Sequence, residues 1–237
     1  MTRRLLTLTT AVAFGGALVL ALARTAEASA SFDYDFGSCA QVTGTCALDT
    51  ALGSTLTFTS NGVSVTADGF SVPSTPAALF IRSNVPTALG IASEANHEID
   101  PTEFVSLDLS GLAAQGITSA SLAIDGVAPG PTPAPEQFRV CNSTADNVLC
   151  SVSTFDHVFG ANGGNGLPNT WAGTVAWSVA APFIDVTGVV TPAVSSDVLI
   201  DRLGAVPESS TWAMLLIGFA GLGLAGYRRG LQSRSRV

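Results

Sequence analysis

The sequence contains no lysine, and only 12% of its 237 residues are charged. Arginine supplies all ten cations, against eighteen aspartates and glutamates. Seven arginines lie near the two ends, so the body over residues 29–207 keeps three arginines against sixteen acids, a net charge of −13. So few cations cannot form a basic face, and we exclude nucleic acid as a partner. The acidic body suits both solubility outside the cell and attraction of cations, and both interpretations stay open.

Residues that carry catalytic chemistry are also scarce. The two histidines, His97 and His157, lie in no recognised motif, and the G-x-S-x-G nucleophile elbow is absent. We predict that the protein is not an enzyme, with a glycosidase pair such as Glu98 and Glu136 as the open alternative. Residues 221–226 match the dinucleotide pattern G-x-G-x-x-G, but the eleven residues that follow leave no room for a βαβ unit. We interpret that match as chance and predict no cofactor, calcium alone staying open.

The amino-terminal segment has the three parts of a secretory signal peptide. Arg3 and Arg4 precede an apolar stretch over residues 5–23, and Ala26 and Ala28 form a small-x-small cleavage site. We predict a signal peptide over residues 1–28, cleaved after Ala28. Cleavage after Ala30 and an uncleaved membrane anchor are the alternatives.

A second apolar run lies near the carboxyl end, over residues 212–227. As a helix at ~1.5 Å per residue, sixteen residues reach about 24 Å, somewhat short of a ~30 Å hydrocarbon core. Arg228 and Arg229 follow at once, which predicts a transmembrane helix with residues 231–237 in the cytoplasm and the body outside. The alternative is a buried core helix of a soluble domain.

The segment leading into this run reads Val206-Pro207-Glu208-Ser209-Ser210-Thr211-Trp212-Ala213-Met214. Over residues 205–230 the chain resembles the PEP-CTERM sorting signal of exported Gram-negative bacterial proteins, in its Trp-Ala-Met subtype. The family pattern is Val-Pro-Glu-Pro, a short spacer, an apolar helix and a basic end, and here Ser209 replaces the second proline. The matching residues are Val206, Pro207, Glu208, Thr211, Trp212, Ala213, Met214, Arg228 and Arg229.

The resemblance implies how the protein is exported and processed, and it implies no catalytic activity of the protein itself. It implies export by the secretion machinery, a transient stay in the inner membrane, and processing by an exosortase, an intramembrane cysteine transpeptidase. The protein would then be released or attached at the cell surface, often in bacteria that make exopolysaccharide. The same tail pattern carries a label that links it to ice-binding proteins.

The body over residues 29–204 is predicted to be one all-β domain, a jelly-roll-like β-sandwich. Residues 55–59 and 63–67 alternate with period two around Asn61-Gly62, which is a strong hairpin signal. Residues 129–135 and 160–166 are predicted loops, because prolines interrupt the first and glycines the second. The remaining predicted strands are 105–109, 119–124, 137–141, 174–179, 183–186 and 198–203.

Two stretches of the body, residues 89–110 and 183–203, are similar to segments that recur in uncharacterised proteins with PEP-CTERM tails. This resemblance implies a shared β-sandwich and no known catalysis.

The four cysteines suit an exported protein. We predict the local disulfides Cys39–Cys46 and Cys141–Cys150, because each pair is close in sequence. Four cysteines allow three connectivities, and a metal site is the rival interpretation, although the spacings differ from those of structural zinc sites.

A group of carboxylates is the candidate metal site. Glu98, Asp100, Glu103 and Asp108 lie within eleven residues and offer the oxygen ligands that Ca²⁺ prefers. Solvated loop acids explain the same residues. Trp171 and Trp177 are candidate sugar-stacking platforms or, alternatively, core residues.

These observations predict an exported, non-catalytic protein of the cell surface or extracellular matrix. The first alternative is a polysaccharide- or ice-binding module, with or without calcium. The second alternative is a secreted hydrolase.

Overall fold

The computed structural model describes residues 31–84, 86–93, 97–126, 137–158, 169–189, 198–206 and 218–221, without the side chains of 153–158 and 169. Residues Ser31–Val206 form one compact unit. Residues 218–221 form a single helical turn, described by itself. Both predicted loops, residues 129–135 and 160–166, lie outside the described residues.

The compact unit is built almost entirely of β-strands. A 3₁₀ turn over Cys39–Gln41 and a short helix α1 over Ser110–Ala114 are the helical segments of its described part. The strands are β1 Phe32–Asp35, β2 Thr55–Ser60, β3 Val63–Ser71, β4 Thr75–Pro76, β5 Leu79–Ile81, β6 Leu89–Ile91, β7 Glu103–Asp108, β8 Ser119–Gly126, β9 Gln137–Ser143, β10 Ser153–Val158, β11 Asn169–Ala176, β12 Phe183–Gly188 and β13 Val198–Ala205.

The strands form two antiparallel sheets. The six-stranded sheet has the order β11-β8-β13-β6-β5, with β1 also paired to β13. The seven-stranded sheet has the order β10-β9-β12-β7-β3-β2, with β4 also paired to β3. This arrangement confirms the predicted all-β sandwich.

The β2–β3 hairpin shows how local sequence produces the sheet. Asn61 and Gly62 turn the chain with φ of 49° and 78°, a left-handed conformation that asparagine and glycine adopt most easily. Thr57 then pairs with Thr66, and Phe58 with Val65. Because side chains alternate along a strand, Phe58 and Val65 enter the core while the hydroxyls of their neighbours lie on the outer face.

The core lies between the two sheets and is completed by aromatic contacts. Phe36, which follows β1, meets Phe58 of β2 edge to face at 4.8 Å between ring centroids. Trp171 of β11 meets Phe138 of β9 in the same way at 5.2 Å. Each contact joins one sheet to the other, and such pairs stabilise by about 0.5–1.5 kcal/mol beyond the burial of their surface.

The structure contains the predicted strands with shifted ends, and one of them is displaced along the sequence. Periodicity placed a strand over residues 174–179, whereas β11 spans Asn169–Ala176 in full register with β8. The short strands β1, β4, β5 and β6 were not predicted, because two to four residues are too few to show a period of two. Strand β10 was also missed.

Among the described residues, no helix is both long enough and apolar enough to cross a membrane. The predicted signal peptide and the predicted transmembrane helix over residues 212–227 lie outside the described residues, apart from the turn over 218–221.

Candidate functional site

The predicted sorting-signal residues fall almost wholly outside the described part of the chain. Val206 is described, directly after β13, and its side chain is 59% exposed. The remaining ones, Pro207, Glu208, Thr211, Trp212, Ala213, Met214, Arg228 and Arg229, lie outside it, as do the cleavage-site residues Ala26 and Ala28.

The structure confirms both predicted disulfides. Cys39 pairs with Cys46, with Cα atoms 5.6 Å apart, and Cys141 pairs with Cys150, with Cα atoms 5.1 Å apart. No free cysteine remains. Disulfides persist in oxidising compartments, so both bonds are typical of an exported protein.

Two of the four predicted calcium ligands have other partners. Glu98 is almost fully buried and forms an ion pair with Arg82, at 2.7 Å between Nη1 and Oε1. Asp100 accepts hydrogen bonds from the amide and the hydroxyl of Thr102, at 2.6 and 2.7 Å. Such a side chain turns the chain locally.

The other two predicted ligands lie on strand β7. Glu103 is 2% exposed and bonds to the Ser93 hydroxyl, while Asp108 accepts a hydrogen bond from the Ser110 amide at 2.8 Å. Among the described residues, no three histidine, cysteine or acidic side chains are grouped so that they could hold a metal ion.

Of the candidate sugar platforms, Trp177 is buried and Trp171 is partly buried. Trp171 packs on the core, and the ring would block any side chain at Gly173, whose added Cβ would lie 2.1 Å from it. Trp177 is 6% exposed. Their placement favours the core interpretation of both tryptophans.

His97 lies on the outer side of the six-stranded sheet. Its backbone is left-handed, with φ of 57°, and its ring stacks on Phe80 at 3.9 Å between centroids. Of the other residues considered for catalysis, His157 has a described backbone only, and Glu136 lies outside the described residues.

The most deeply buried polar cluster lies on the outer face of the seven-stranded sheet and surrounds Asp185. This carboxylate, on β12, is fully buried. It accepts hydrogen bonds from the Ser106 hydroxyl at 2.6 Å, from the Ser143 hydroxyl, and from the Cys150 amide at 3.0 Å. Cys141, the disulfide partner of Cys150, is the register neighbour of Asp185 on β9.

Burial controls the acidity of this carboxyl. Desolvation raises the pKa of Asp185 to about 6, against the lowering effect of the three hydrogen bonds, and the negative charge of Asp146 raises it further. Desolvation also raises the pKa of Asp68, two strands away in the same row of the sheet.

The outer face of the six-stranded sheet is acidic as well. Desolvation raises the pKa of Asp125 and of Asp201, and the charge of Asp125 raises that of Asp201 further. Thr170 donates a hydrogen bond of 2.6 Å to Asp125. Asp49 behaves in the opposite way, because hydrogen bonds from Ser83 lower its pKa.

Sequence reasoning did not single out Asp185, Ser106 or Ser143. They lie 37 or more residues apart in sequence and become neighbours only through the order β9-β12-β7. One signal was available, since Asp185 is an acidic residue within an otherwise apolar predicted strand.

Comparison with known proteins assigns the chain to no family. No protein-family model matches the chain, and no curated protein matches it. Among solved structures it is similar to the crystal structure of the K3 cleaved adhesin domain of Lys-gingipain from Porphyromonas gingivalis W83. The two are 13% identical with a TM-score of 0.32, over 56% of this chain and 74% of that chain. Likeness at this level assigns no function.

Proposed function

We propose that the chain is a non-catalytic protein of the bacterial cell surface or extracellular matrix. In this proposal a signal peptide over residues 1–28 directs export, and a transmembrane helix over 212–227 holds the chain in the inner membrane. An exosortase then processes it at the PEP-CTERM-like signal, leaving a domain over residues 29–204 that we expect to be jelly-roll-like.

One observation carries this proposal: the two ends of the domain meet at one place. The first strand, β1, pairs antiparallel with the last strand, β13, so that Phe32 is the register partner of Ala205. Both partners are buried, whereas Val206 is exposed. Removing residues 1–28 and the segment after Glu208 would therefore leave every described strand of the sandwich in place.

Two further observations support a domain that folds outside the cytoplasm without catalytic chemistry. The Cys141–Cys150 disulfide joins a loop to strand β9, the Cys39–Cys46 disulfide closes a ring within the connection from β1 to β2, and both suit an oxidising compartment. Each of the buried carboxylates Glu98, Glu103 and Asp185 has a partner within the fold, which suits a structural role.

The test is mass spectrometry of both termini, on protein recovered from the surface and medium of its native host. We expect a first residue near Ser29 and a last residue near Pro207 or Glu208. An intact tail ending at Val237 would overturn processing and leave a membrane-anchored domain. An exosortase-deficient strain is the control, because it should retain the tail.

A matched pair of variants then tests the motif itself. Replacing Pro207 and Glu208 by alanine should leave the tail attached, because it removes the residues that the resemblance identifies. Replacing Ser210 by alanine, in the spacer, should leave processing unchanged. Equal processing of both variants would show that another segment is recognised.

The outer face of β2 and β3 favours polysaccharide or ice binding as a second candidate function. Thr57 and Thr66 lie side by side there, with their hydroxyl oxygens 3.4 Å apart. The next pair on this face is Thr59 and Ser64, with hydroxyl oxygens 3.0 Å apart. All four belong to an extended strand pair, so their hydroxyls form a regular array. Such an array offers hydrogen bonds to sugar hydroxyls or to ordered water.

Binding to purified exopolysaccharide of the host, with and without a calcium chelator, tests this second candidate. Replacing Thr57 and Thr66 by valine keeps the shape and removes two hydroxyls, so it should weaken binding several-fold. Thr174→Val on β11, an exposed threonine of the other sheet, is the matched control. Equal binding by all three proteins would exclude this face, and a loss on chelation would implicate calcium.

A further inference from the structure

The loop between β9 and β10, residues 144–152, is closed by the Cys141–Cys150 disulfide and lies against Asp185. Asp185 is at the centre of its own strand, on the outer face of the sheet, where a carboxylate is ordinarily solvated. Here its exposure is zero. The contacts of this loop with Asp185 account for part of that burial.

The hydrogen bonds around Ser143 indicate which protonation state of Asp185 the structure favours. The Ser143 hydroxyl lies 2.6 Å from the carbonyl oxygen of Val148 and also contacts the Asp185 carboxylate. The Ser143 hydroxyl also accepts a hydrogen bond of 3.2 Å from the Ser151 amide. A hydroxyl carries a single hydrogen, so Ser143 cannot donate to Val148 and Asp185 together.

Protonation of Asp185 resolves this conflict. A neutral carboxyl donates its own O–H to Ser143, which then donates to Val148, while Asp185 still accepts from Ser106 and the Cys150 amide. An ionised carboxyl leaves one oxygen–oxygen contact without a hydrogen, in a site removed from water. The loop and the protonated acid therefore stabilise each other.

The negative charge of Asp146 acts in the same direction. Asp146 lies in the loop itself, and Asp108 and Asp68 lie on the same outer face, on β7 and β3. Arg139, two residues before Cys141 on β9, is a cation on this face and opposes the acids, and Asp156 of β10 is its register partner. The described hydrogen-bond partners of Asp185 are neutral: two hydroxyls and one amide.

We propose that Asp185 makes the β9–β10 loop a pH-sensitive cover, closed over the sheet in acid and loosened near neutral pH while its disulfide stays intact. The raised pKa of about 6 agrees with this geometry. A carboxyl with the higher pKa in the closed state stabilises closure below its ordinary pKa and loses that effect as pH rises through about 6. Opening would expose Asp185 and Ser106.

Amide hydrogen exchange on the full, oxidised chain tests the proposal. If Asp185 regains its ordinary pKa when the loop opens, the protection factors of the Cys150 and Ser151 amides should fall about tenfold between pH 5 and pH 7.5. The Thr43 amide, inside the other disulfide ring and bonded to the Thr57 carbonyl, should keep its protection factor.

Asp185→Asn is the matched variant, because its amide cannot ionise. With Nδ2 towards Ser143 it donates there and Oδ1 still accepts from Ser106, while the Cys150 amide, which shares Oδ2 with Ser143 in the natural protein, loses its acceptor at every pH. We expect its protection factors at Cys150 and Ser151 to be independent of pH. A flat profile in the natural protein, or an equal fall in the variant, overturns the proposal. If the variant does not fold, the carbon-13 shift of the Asp185 carboxyl is followed against pH in the natural protein. A titration midpoint near about 4, the ordinary value, would contradict the proposal.

Discussion

At the scale of single residues, two arginines of the body have opposite surroundings. Arg82 is 18% exposed in its side chain and pairs at 2.7 Å with Glu98, which is 4% exposed. Arg202 is 53% exposed and lies 3.7 Å from Asp33, which is 60% exposed. Removing one partner of a buried pair leaves a desolvated charge, whereas an exposed pair contributes little.

We predict that Arg82→Ala lowers the free energy of unfolding by about 3 kcal/mol, because the Glu98 carboxylate loses its guanidinium inside the protein. Arg202→Ala, the matched control, should lower it by less than about 1 kcal/mol. Urea denaturation monitored by tryptophan fluorescence measures both. Equal costs for the two variants would mean that the Arg82–Glu98 pair is solvated in solution.

At the scale of elements, Gly62 contributes to the β2–β3 turn through its backbone conformation. Gly62 has a φ of 78°, and a Cβ placed there would meet nothing within 4 Å. We predict that Gly62→Ala costs about 1 kcal/mol of unfolding free energy, since a side chain disfavours the left-handed region. Gly53→Ala, where an added Cβ makes ordinary contacts at 3.7 Å, should be neutral by the same denaturation measurement. Loss of stability in the second variant only would contradict this interpretation.

The two disulfide rings also differ as elements. Each closes a short loop and is expected to stabilise by about 2–3 kcal/mol in the chain-entropy model. Cys141 is fully buried beside Asp185, whereas Cys39 and Cys46 are only partly buried. We predict that replacing Cys141 and Cys150 by alanine lowers the midpoint of thermal unfolding more than replacing Cys39 and Cys46. The reverse order would show that the β9–β10 loop contributes little to the sandwich.

At the scale of the whole molecule, buried aspartates set the response to pH. Desolvation raises the pKa of Asp185 to about 6 and also raises those of Asp68, Asp125 and Asp201. At these four groups the folded state therefore binds more protons than the unfolded state above pH 4. Stability that is present in acid is lost as pH rises through these values.

We predict that the free energy of unfolding falls between pH 4.5 and pH 7.5, with Asp185 alone accounting for about 2 kcal/mol. Urea denaturation at the two pH values measures the change. Asp185→Asn should retain only the smaller dependence that comes from the other three aspartates. A protein more stable at pH 7.5 than at pH 4.5 would contradict the assignment of these groups as desolvated.

The sequence by itself determined the β class of the body, the β2–β3 hairpin and both disulfides. These are local properties. Residues 55–59 and residues 63–67 each alternate with period two, Asn61-Gly62 favours a left-handed turn, and the paired cysteines are seven and nine residues apart. The sorting signal, also read from local sequence, stays a prediction, because its residues beyond Val206 lie outside the described structure.

Only the tertiary structure decided which acids are buried and what they contact. Asp185 reaches Ser106 and Ser143 through the pairing of strands distant in sequence, and Glu98 reaches Arg82, sixteen residues before it, between segments that lie outside the strands. The four carboxylates predicted to share a calcium ion have separate partners, which for Asp100 and Asp108 are residues only two positions further along the chain. Spacing along one chain constrains neighbours on a strand, whereas the order of strands in a sheet depends on packing between segments, which no local pattern encodes.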